Sequence, residues 1–398
     1  GMGSLVTSTP AKIAAAPDAG AAPVNTEVDT AELERWSLPH GRFSTVTLAM
    51  ALVTIIVSAP SEYAPTWVPL ILSLTASLVT AAGSLPSAVS AFRTTWRTVK
   101  GPTMSLLRYD TVRQFVGEKA YGHLLYAARN GIPTLYCGPK GRRRQLPLPS
   151  AMPHVDKFAE KTWELITTGR LFLIPEVIAQ AAKVISSPHG AVAKHAADGP
   201  VTAAVRFFHH LSKLSKGFNI NADSDKPSHG QIFYPRLRSL VRRIIALKRK
   251  YPGSRLLINL YDVSQAFTLL DVNQNDVSHF ATDMPTVLSP EVVAASEATP
   301  ATTPSDVAEA IAAARDLAAR TLESAGARRT RRRGARAASA FAGLASVITY
   351  VYLTGTFGHV ALPPQYGLVA MKPIHDIHNA HTVAAPWWHG HEPLVSET

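Results

Sequence analysis

Arg255-Leu256-Leu257-Ile258-Asn259-Leu260-Tyr261-Asp262-Val263-Ser264-Gln265-Ala266-Phe267 is the stretch on which the reading of this chain turns. Residues 255–261 are dense in branched apolar side chains and predict a buried strand. That strand ends on Asp262, and a turn of small residues leads to Phe267. A strand holds a terminal carboxylate rigidly, and a hard oxygen ligand held this way suits Mg²⁺. Two such ions can clamp the attacking and leaving oxygens of a phosphoryl transfer. The plainer role for Asp262 is to cap the turn that follows it.

Just upstream, Leu237, Leu240, Val241, Ile244 and Ile245 recur at helical spacing within Pro235–Tyr251. Arg238, Arg242 and Arg249 are expected on the other side of that helix, solvated or facing a template. Tyr251-Pro252-Gly253-Ser254 then reads as a turn into the strand. Further upstream stand Ile185-Ser186-Ser187-Pro188-His189-Gly190-Ala191-Val192-Ala193-Lys194, then Val205-Arg206-Phe207-Phe208-His209-His210-Leu211-Ser212, then Gly217-Phe218-Asn219-Ile220-Asn221. Far downstream comes Gly355-Thr356-Phe357-Gly358-His359-Val360-Ala361-Leu362-Pro363-Pro364-Gln365-Tyr366-Gly367.

In this order the segments resemble the fingers and first half of the palm of retroelement reverse transcriptases. Asp-Val-Ser-Gln-Ala-Phe is similar to the first palm motif of that family. The resemblance implies that Asp262 is a catalytic metal ligand, with Mg²⁺ as cofactor and an RNA or DNA template as partner. It implies that Phe267 is the aromatic that crowds the 2′-hydroxyl of an incoming nucleotide, the group that separates RNA from DNA precursors. The strand around Arg206 resembles the family's Arg-x-x-His-Asp-Leu-Ser strand, which makes Arg206 a triphosphate contact. A guanidinium fork suits phosphate oxygens. Lys194 is a second candidate for that task. Phe357, Gly358, Pro364, Tyr366 and Gly367 resemble the second palm motif, which positions template and nucleotide.

The chain also departs from the family. His210 stands where Asp is usual, His359 where an aromatic is usual, and Pro363 where Ser is usual. No Asp-Asp pair follows Gly367. The second group of metal-binding carboxylates is therefore missing, and one carboxylate does not hold two ions against water and phosphate. The expectation is a degenerate or truncated reverse-transcriptase-like protein, an RNA-directed DNA polymerase by descent and inactive alone. The resemblance covers about residues 120–285 and 350–398.

Composition leaves this open and narrows the rest. The chain has 398 residues, 40 Lys+Arg and 28 Asp+Glu, for a net charge of +12. That balance suits a polyanion, either nucleic acid or an anionic membrane face. A single Cys137 excludes a disulfide framework and a multi-cysteine zinc site. No Gly-x-Gly-x-x-Gly, Gly-x-x-x-x-Gly-Lys-Ser/Thr or Gly-x-Ser-x-Gly motif is present. The expected fold class is α+β, a partial fingers and palm with a small antiparallel sheet and helices. An apolar helical hairpin and a disordered leader precede it. The expected divisions are a leader (1–40), an apolar helical hairpin (41–100), a helical region (101–183), a fingers and palm region (184–285), an Ala/Arg-rich insert (286–339) and the second palm-like segment (340–398).

Two features carry rival readings. Between Arg42 and Arg93 only Glu62 is charged, and Phe43–Pro60 and Trp67–Phe92 are two apolar runs of membrane-spanning length. They predict either a transmembrane hairpin, with both basic-flanked ends inside, or a hairpin buried in the protein's own core. A non-enzymatic membrane-anchored protein follows from the first. A basic nucleic-acid-binding protein follows from the block Arg328-Arg329-Thr330-Arg331-Arg332-Arg333-Gly334-Ala335-Arg336. The expected location is intracellular, cytoplasmic or nuclear, with membrane association through 43–92. The basic loop Arg142-Arg143-Arg144 is expected to be solvated, with phosphate contact as the sharper option. Residues 340–357 predict a buried strand or helix. His375, His378, His381, His389 and His391 are loose surface histidines in preference to a metal site.

Overall fold

The computed structural model describes residues 38, 42–101, 109–145, 147–195, 201–213, 219–229, 237–255, 266–287, 308–309, 312–313, 315–316, 345–356, 358–360, 362–367 and 371. Its class is α+β, with helices set against small antiparallel sheets, as the sequence predicts.

The apolar runs form three helices rather than two. They are α1 (Thr45–Ser58), α2 (Val68–Ala82) and α3 (Leu85–Lys100). The break in the second run has a local cause. Gly83 takes a left-handed conformation (φ 73°) that closes α2, and Ser84 caps α3 by accepting the Ser87 N–H at 3.2 Å. Pro86 sits in the first turn of α3, where its missing N–H costs nothing. The chain turns by 113° there, and among the described residues no single helix is long and apolar enough to cross a membrane.

These helices bury their apolar surface within the protein. Helix α2 is buried at every position from Val68 to Val79. Its core hydroxyls are satisfied locally: Thr75 donates to the Ile71 carbonyl at 2.8 Å and Ser77 to the Ser73 carbonyl at 2.7 Å. Amphipathic α3 turns Leu85, Val89, Phe92 and Trp96 inward, and Phe92 meets Phe172 edge-on at 4.8 Å.

Phe172 belongs to β1 (Leu171–Pro175), the edge of a three-stranded antiparallel sheet in the order β1–β5–β4. Strand β5 (Ala345–Tyr352) is central and β4 (Ala281–Val287) is the other edge. Successive strand residues point to opposite faces. Leu171–Pro175 are nonetheless all buried, as are Ile348–Leu353, so both faces of the sheet are covered. The apolar stretch expected at 340–357 is thus a buried central strand. Helix α4 (Tyr109–Asn130) precedes this unit, while α5 (Val155–Thr167) and the short α6 (Glu176–Ala181) flank β1.

A separate hairpin pairs β2 (His189–His195) with β3 (Val201–His209). Helix α7 (Leu237–Lys250) and a short α8 (Leu362–Tyr366) complete the described elements. Helix α7 matches the predicted helix closely. The turn after it forms as read, with Ser254 N–H donating to the Tyr251 carbonyl at 3.2 Å.

Candidate functional site

Segments far apart in sequence meet at one end of the sheet. The bridge between Asp271 and Thr354 and the Gly355 N–H to Leu270 carbonyl bond (2.9 Å) lay the chain after β5 along residues 270–272. The turn Ala266–Leu269 therefore comes to rest against α8. There the half-buried Phe267 ring meets Tyr366 edge-on, with centroids 5.8 Å apart. A Cβ on Gly355 would lie 2.7 Å from the Phe267 carbonyl, so this approach requires glycine.

The other side of the same loop rests on the end of β3. Gly358 has φ 113°, and a Cβ there would lie 2.6 Å from the His209 carbonyl. Asn221 clamps the loop through both ends of its amide. Its Nδ2 donates to the Gly358 carbonyl at 2.8 Å, and its Oδ1 accepts the Val360 N–H at 3.0 Å. The residues around His209, Asn221, Phe267 and Gly358–Tyr366 thus form one cluster. Sequence reasoning placed Asn221 in a motif but gave it no task. An amide, with one donor group and one acceptor, is the side chain that can bridge a carbonyl and an N–H.

His359, which replaces an expected aromatic, behaves as one. It is buried and its ring packs on Phe280 with centroids 4.7 Å apart. His210, in place of an acid, is half-buried with its ring 6.0 Å from that of Phe208.

The predicted site residues fare unequally. Arg206 is exposed on β3, opposite the equally exposed Val192 of β2, and no carboxylate pairs with it among the described residues. The backbone of Lys194 lies in β2, and its side chain falls outside the described residues. Asp262, residues 256–261 of its predicted strand and Phe357 also lie outside the described residues, as do the Arg328–Arg336 block and the histidine-rich tail.

Arg238, Arg242 and Arg249 are all exposed on α7. At about 100° per residue they span an arc of only about 40°. Val241 and Ile245, 45% and 44% exposed, border that arc instead of facing away from it. This corrects the expected division of α7 into an arginine side and an aliphatic side holding Val241 and Ile245. The half-buried Ile244 and Leu247 occupy the inner side.

A correction of greater consequence concerns the basic loop. Arg142 is not solvated. Its guanidinium makes two bonds to Glu176, at 3.0 and 2.7 Å, and two to Asp283, at 3.0 and 2.9 Å. It also donates to the Val184 carbonyl at 3.1 Å and to Ser186 Oγ at 2.9 Å. Asp283, fully buried on β4, accepts further bonds from Ser186 and Thr349, both at 2.8 Å. Burial works against the charged guanidinium. The Glu176 bonds and the Asp283 charge outweigh it and raise the Arg142 pKa overall.

A metal reading finds little among these groups. No cluster of three or more His, Cys, Asp or Glu side chains placed to hold an ion occurs among the described residues. Asp283 is committed to Arg142, and Asp271 lies 3.7 Å from Arg97. The cavity between His123, Tyr126, Ile132 and Gln365 holds about 120 Å³, against roughly 300–1,000 Å³ for ligand pockets. A larger groove of about 540 Å³ lies between α1 and α3. Val46, Met50 and the hydroxyls of Ser90, Thr94 and Thr98 line it, with no charged side chain.

No family model, curated protein or solved structure matches this chain.

Proposed function

We propose that this chain is a reverse-transcriptase-like protein of retroelement descent that binds nucleic acid and does not polymerise on its own. The observation that carries the reading is the convergence at the end of the sheet. Segments singled out by motif, up to 137 residues apart, touch through Asn221 and Gly358 and through Phe267 and Tyr366. Their order alone does not require that contact.

In this reading Arg206 binds phosphate from the open face of the β2–β3 hairpin. Arg238, Arg242 and Arg249 line a second cationic strip on α7. Asp262 is the one carboxylate assigned to Mg²⁺, and no step is derived through that ion. The helices of the 43–92 run bury their apolar faces against one another and the sheet, which favours this reading over the membrane anchor.

The test pairs two assays on the full chain. Primer extension with deoxynucleotides and Mg²⁺ or Mn²⁺ is expected to give no product, and robust Asp262-dependent extension overturns the inactive reading. Binding to RNA and single-stranded DNA is expected to weaken steeply with salt and to weaken further in Arg206→Ala. Binding that ignores salt and Arg206 overturns the nucleic-acid reading.

A further inference from the structure

The hairpin that carries Arg206 meets the main sheet at the Ser186–Ala281 bridge, at the Ser187 N–H to Ala281 carbonyl bond (2.8 Å) and through two buried histidines. His189 opens β2 and His209 closes β3, and the two are register partners. Their rings stack with centroids 4.5 Å apart and planes 20° apart. His209 Nε2 lies 3.1 Å from the Ala281 carbonyl on β4, so that nitrogen carries the proton. Its Nδ1 then accepts from the Thr356 hydroxyl at 3.3 Å. The Tyr352 hydroxyl on β5 lies 3.2 Å from His189 Nε2, and Phe158 on α5 meets the His189 ring edge-on at 5.0 Å.

One atom of this joint is unsatisfied. His189 Nδ1 is buried with no hydrogen-bond partner among the described residues. Buried polar atoms are nearly always paired, and each exception calls for an explanation. Phenylalanine in the same slot would keep the ring contacts without leaving an orphaned nitrogen. With the Tyr352 hydroxyl removed as well, what distinguishes the imidazole from phenylalanine in this slot is its ability to take a proton.

We propose that the His189–His209 stack is an acid-operated latch. Its protonation frees the β2–β3 hairpin and the 354–360 loop from a β1–β5–β4 sheet that stays folded. The latch stands on its own geometry. Only the consequence for nucleic acid, that Arg206 moves with the hairpin, rests on the function proposed above.

The Ala281 and Ser187 backbone groups favour a charged His209, and burial outweighs both. Strand β5 offers Tyr350 and Tyr352, and burial holds the Tyr352 phenol protonated and neutral. The chain after β3 offers His210, a like charge once protonated. Strand β4 offers the Ala281 carbonyl, the 354–360 loop the Thr356 hydroxyl, and α5 the Phe158 ring. Asp283, two residues along β4, is taken up by Arg142, Ser186 and Thr349.

Burial lowers both imidazoles, His209 to about 4 and His189 well below 6.5. The sign follows. Both folded values lie below the ordinary 6.5, so the closed state is fully favoured above that pH. Between there and about 4 the open state takes up protons that the closed state refuses. Opening gains up to about tenfold per pH unit for each histidine in that window.

Hydrogen exchange on the full chain, corrected for intrinsic rates and followed from neutral pH to about 4, tests this. Peptides covering 186–195, 201–211 and 354–360 are expected to lose protection while 171–175, 345–352 and the α1–α2 core keep theirs. His189→Phe combined with Tyr352→Phe, which leaves no orphaned hydroxyl, is expected to open at lower pH and less steeply. Simultaneous loss in hairpin and sheet overturns the latch, as does a variant that opens like the parent. If the variant fails to fold, imidazole NMR on the parent decides. Rings that titrate near 6.5 under a protected hairpin also overturn the latch. Nucleic-acid binding of Arg206→Ala at neutral pH is read separately. A hairpin that opens in a chain with no such binding leaves the latch standing and overturns only the proposed function.

Discussion

Arg142 and Arg249 are alike in the sequence, each inside a short basic run without an acidic neighbour, and the fold treats them in opposite ways. Arg142 is drawn into the protein, where its fork is filled by Glu176, Asp283 and Ser186. Arg249 stays exposed on α7 beside Lys248 and Lys250. Neither local composition nor spacing makes the difference. A carboxylate 141 residues away on β4 comes to lie opposite the first arginine, and none among the described residues pairs with the second. A cationic run marks a binding surface only when the fold brings no acid to it.

The sharpest way to break that comparison is to remove the buried cation. Arg142→Met removes both direct bonds from the guanidinium to buried Asp283 and leaves it only the half-exposed Arg144, 3.6 Å away, as counter-charge. Losing one partner of a buried pair costs about 3–5 kcal/mol, so the midpoint of chemical denaturation is expected to fall sharply. Arg142→Met with Asp283→Leu is expected to recover most of that loss. A single variant as stable as the parent would mean that Arg142 is solvated after all.

Acid offers the second contrast, because α7 is indifferent to it and the core is not. His189 and His209 are buried and His279 is half-buried, and burial lowers their pKa values, His209 and His279 to about 4. Their neutral forms are therefore fully stabilising above about 6.5, and stability drains as pH falls toward 4. A drop from 6.5 to about 4 corresponds to about 3 kcal/mol for each of His209 and His279. Asp276 opposes this weakly, since burial raises its carboxyl and favours the protonated form. About 2 kcal/mol of the histidine contribution, for each of His209 and His279, is lost by pH 5, so denaturation midpoints measured at neutral pH and near pH 5 should differ. Equal midpoints would mean these imidazoles reach water.

What the sequence made legible follows the same division. Helix α7 and the Tyr251–Ser254 turn were readable because amphipathic spacing and Pro-Gly chemistry are local. The buried strand within 340–357 was readable in kind from its apolar run, though helix and strand were not separable there. The break at Gly83-Ser84 was readable in principle, since a glycine stop followed by a serine cap and Pro86 is a local signal. An eye on hydropathy alone passes over it. The Asp283–Arg142 pair and the His189–His209 stack were not readable, because they exist only once strands distant in sequence are in register. The candidate cluster was legible as an order of motifs and not as a contact. The Asn221 amide that joins the motifs shows only in the fold.

Asn221 gives the third test. Asn221→Ala removes two hydrogen bonds to the 358–360 backbone, at about 1 kcal/mol each. Hydrogen exchange at 354–360 is expected to rise while that of α1–α3 does not change. Unaltered protection there would show that Gly358 and Leu362 hold the loop without the amide.

The smallest expected effect on stability bears most on function. Arg238, Arg242 and Arg249 make no ion pair with another described residue, so replacing all three by Gln should shift stability by within about 0.5 kcal/mol per site. The same change should act strongly on association with a polyanion. If each cation displaces one counterion, the slope of log affinity against log salt should fall by about 0.7–0.9 per arginine, some two to three in all. Val241 and Ile245 sharpen the outcome, since they border the strip with nearly half their surface in water. Aliphatic side chains gain from meeting an apolar phase and little from meeting phosphate. Val241→Ser with Ile245→Ser should therefore leave the salt slope for nucleic acid unchanged. A marked loss of binding in that pair, with the arginines intact, would mean that α7 meets an apolar surface, and the cationic strip would then have to be reassigned.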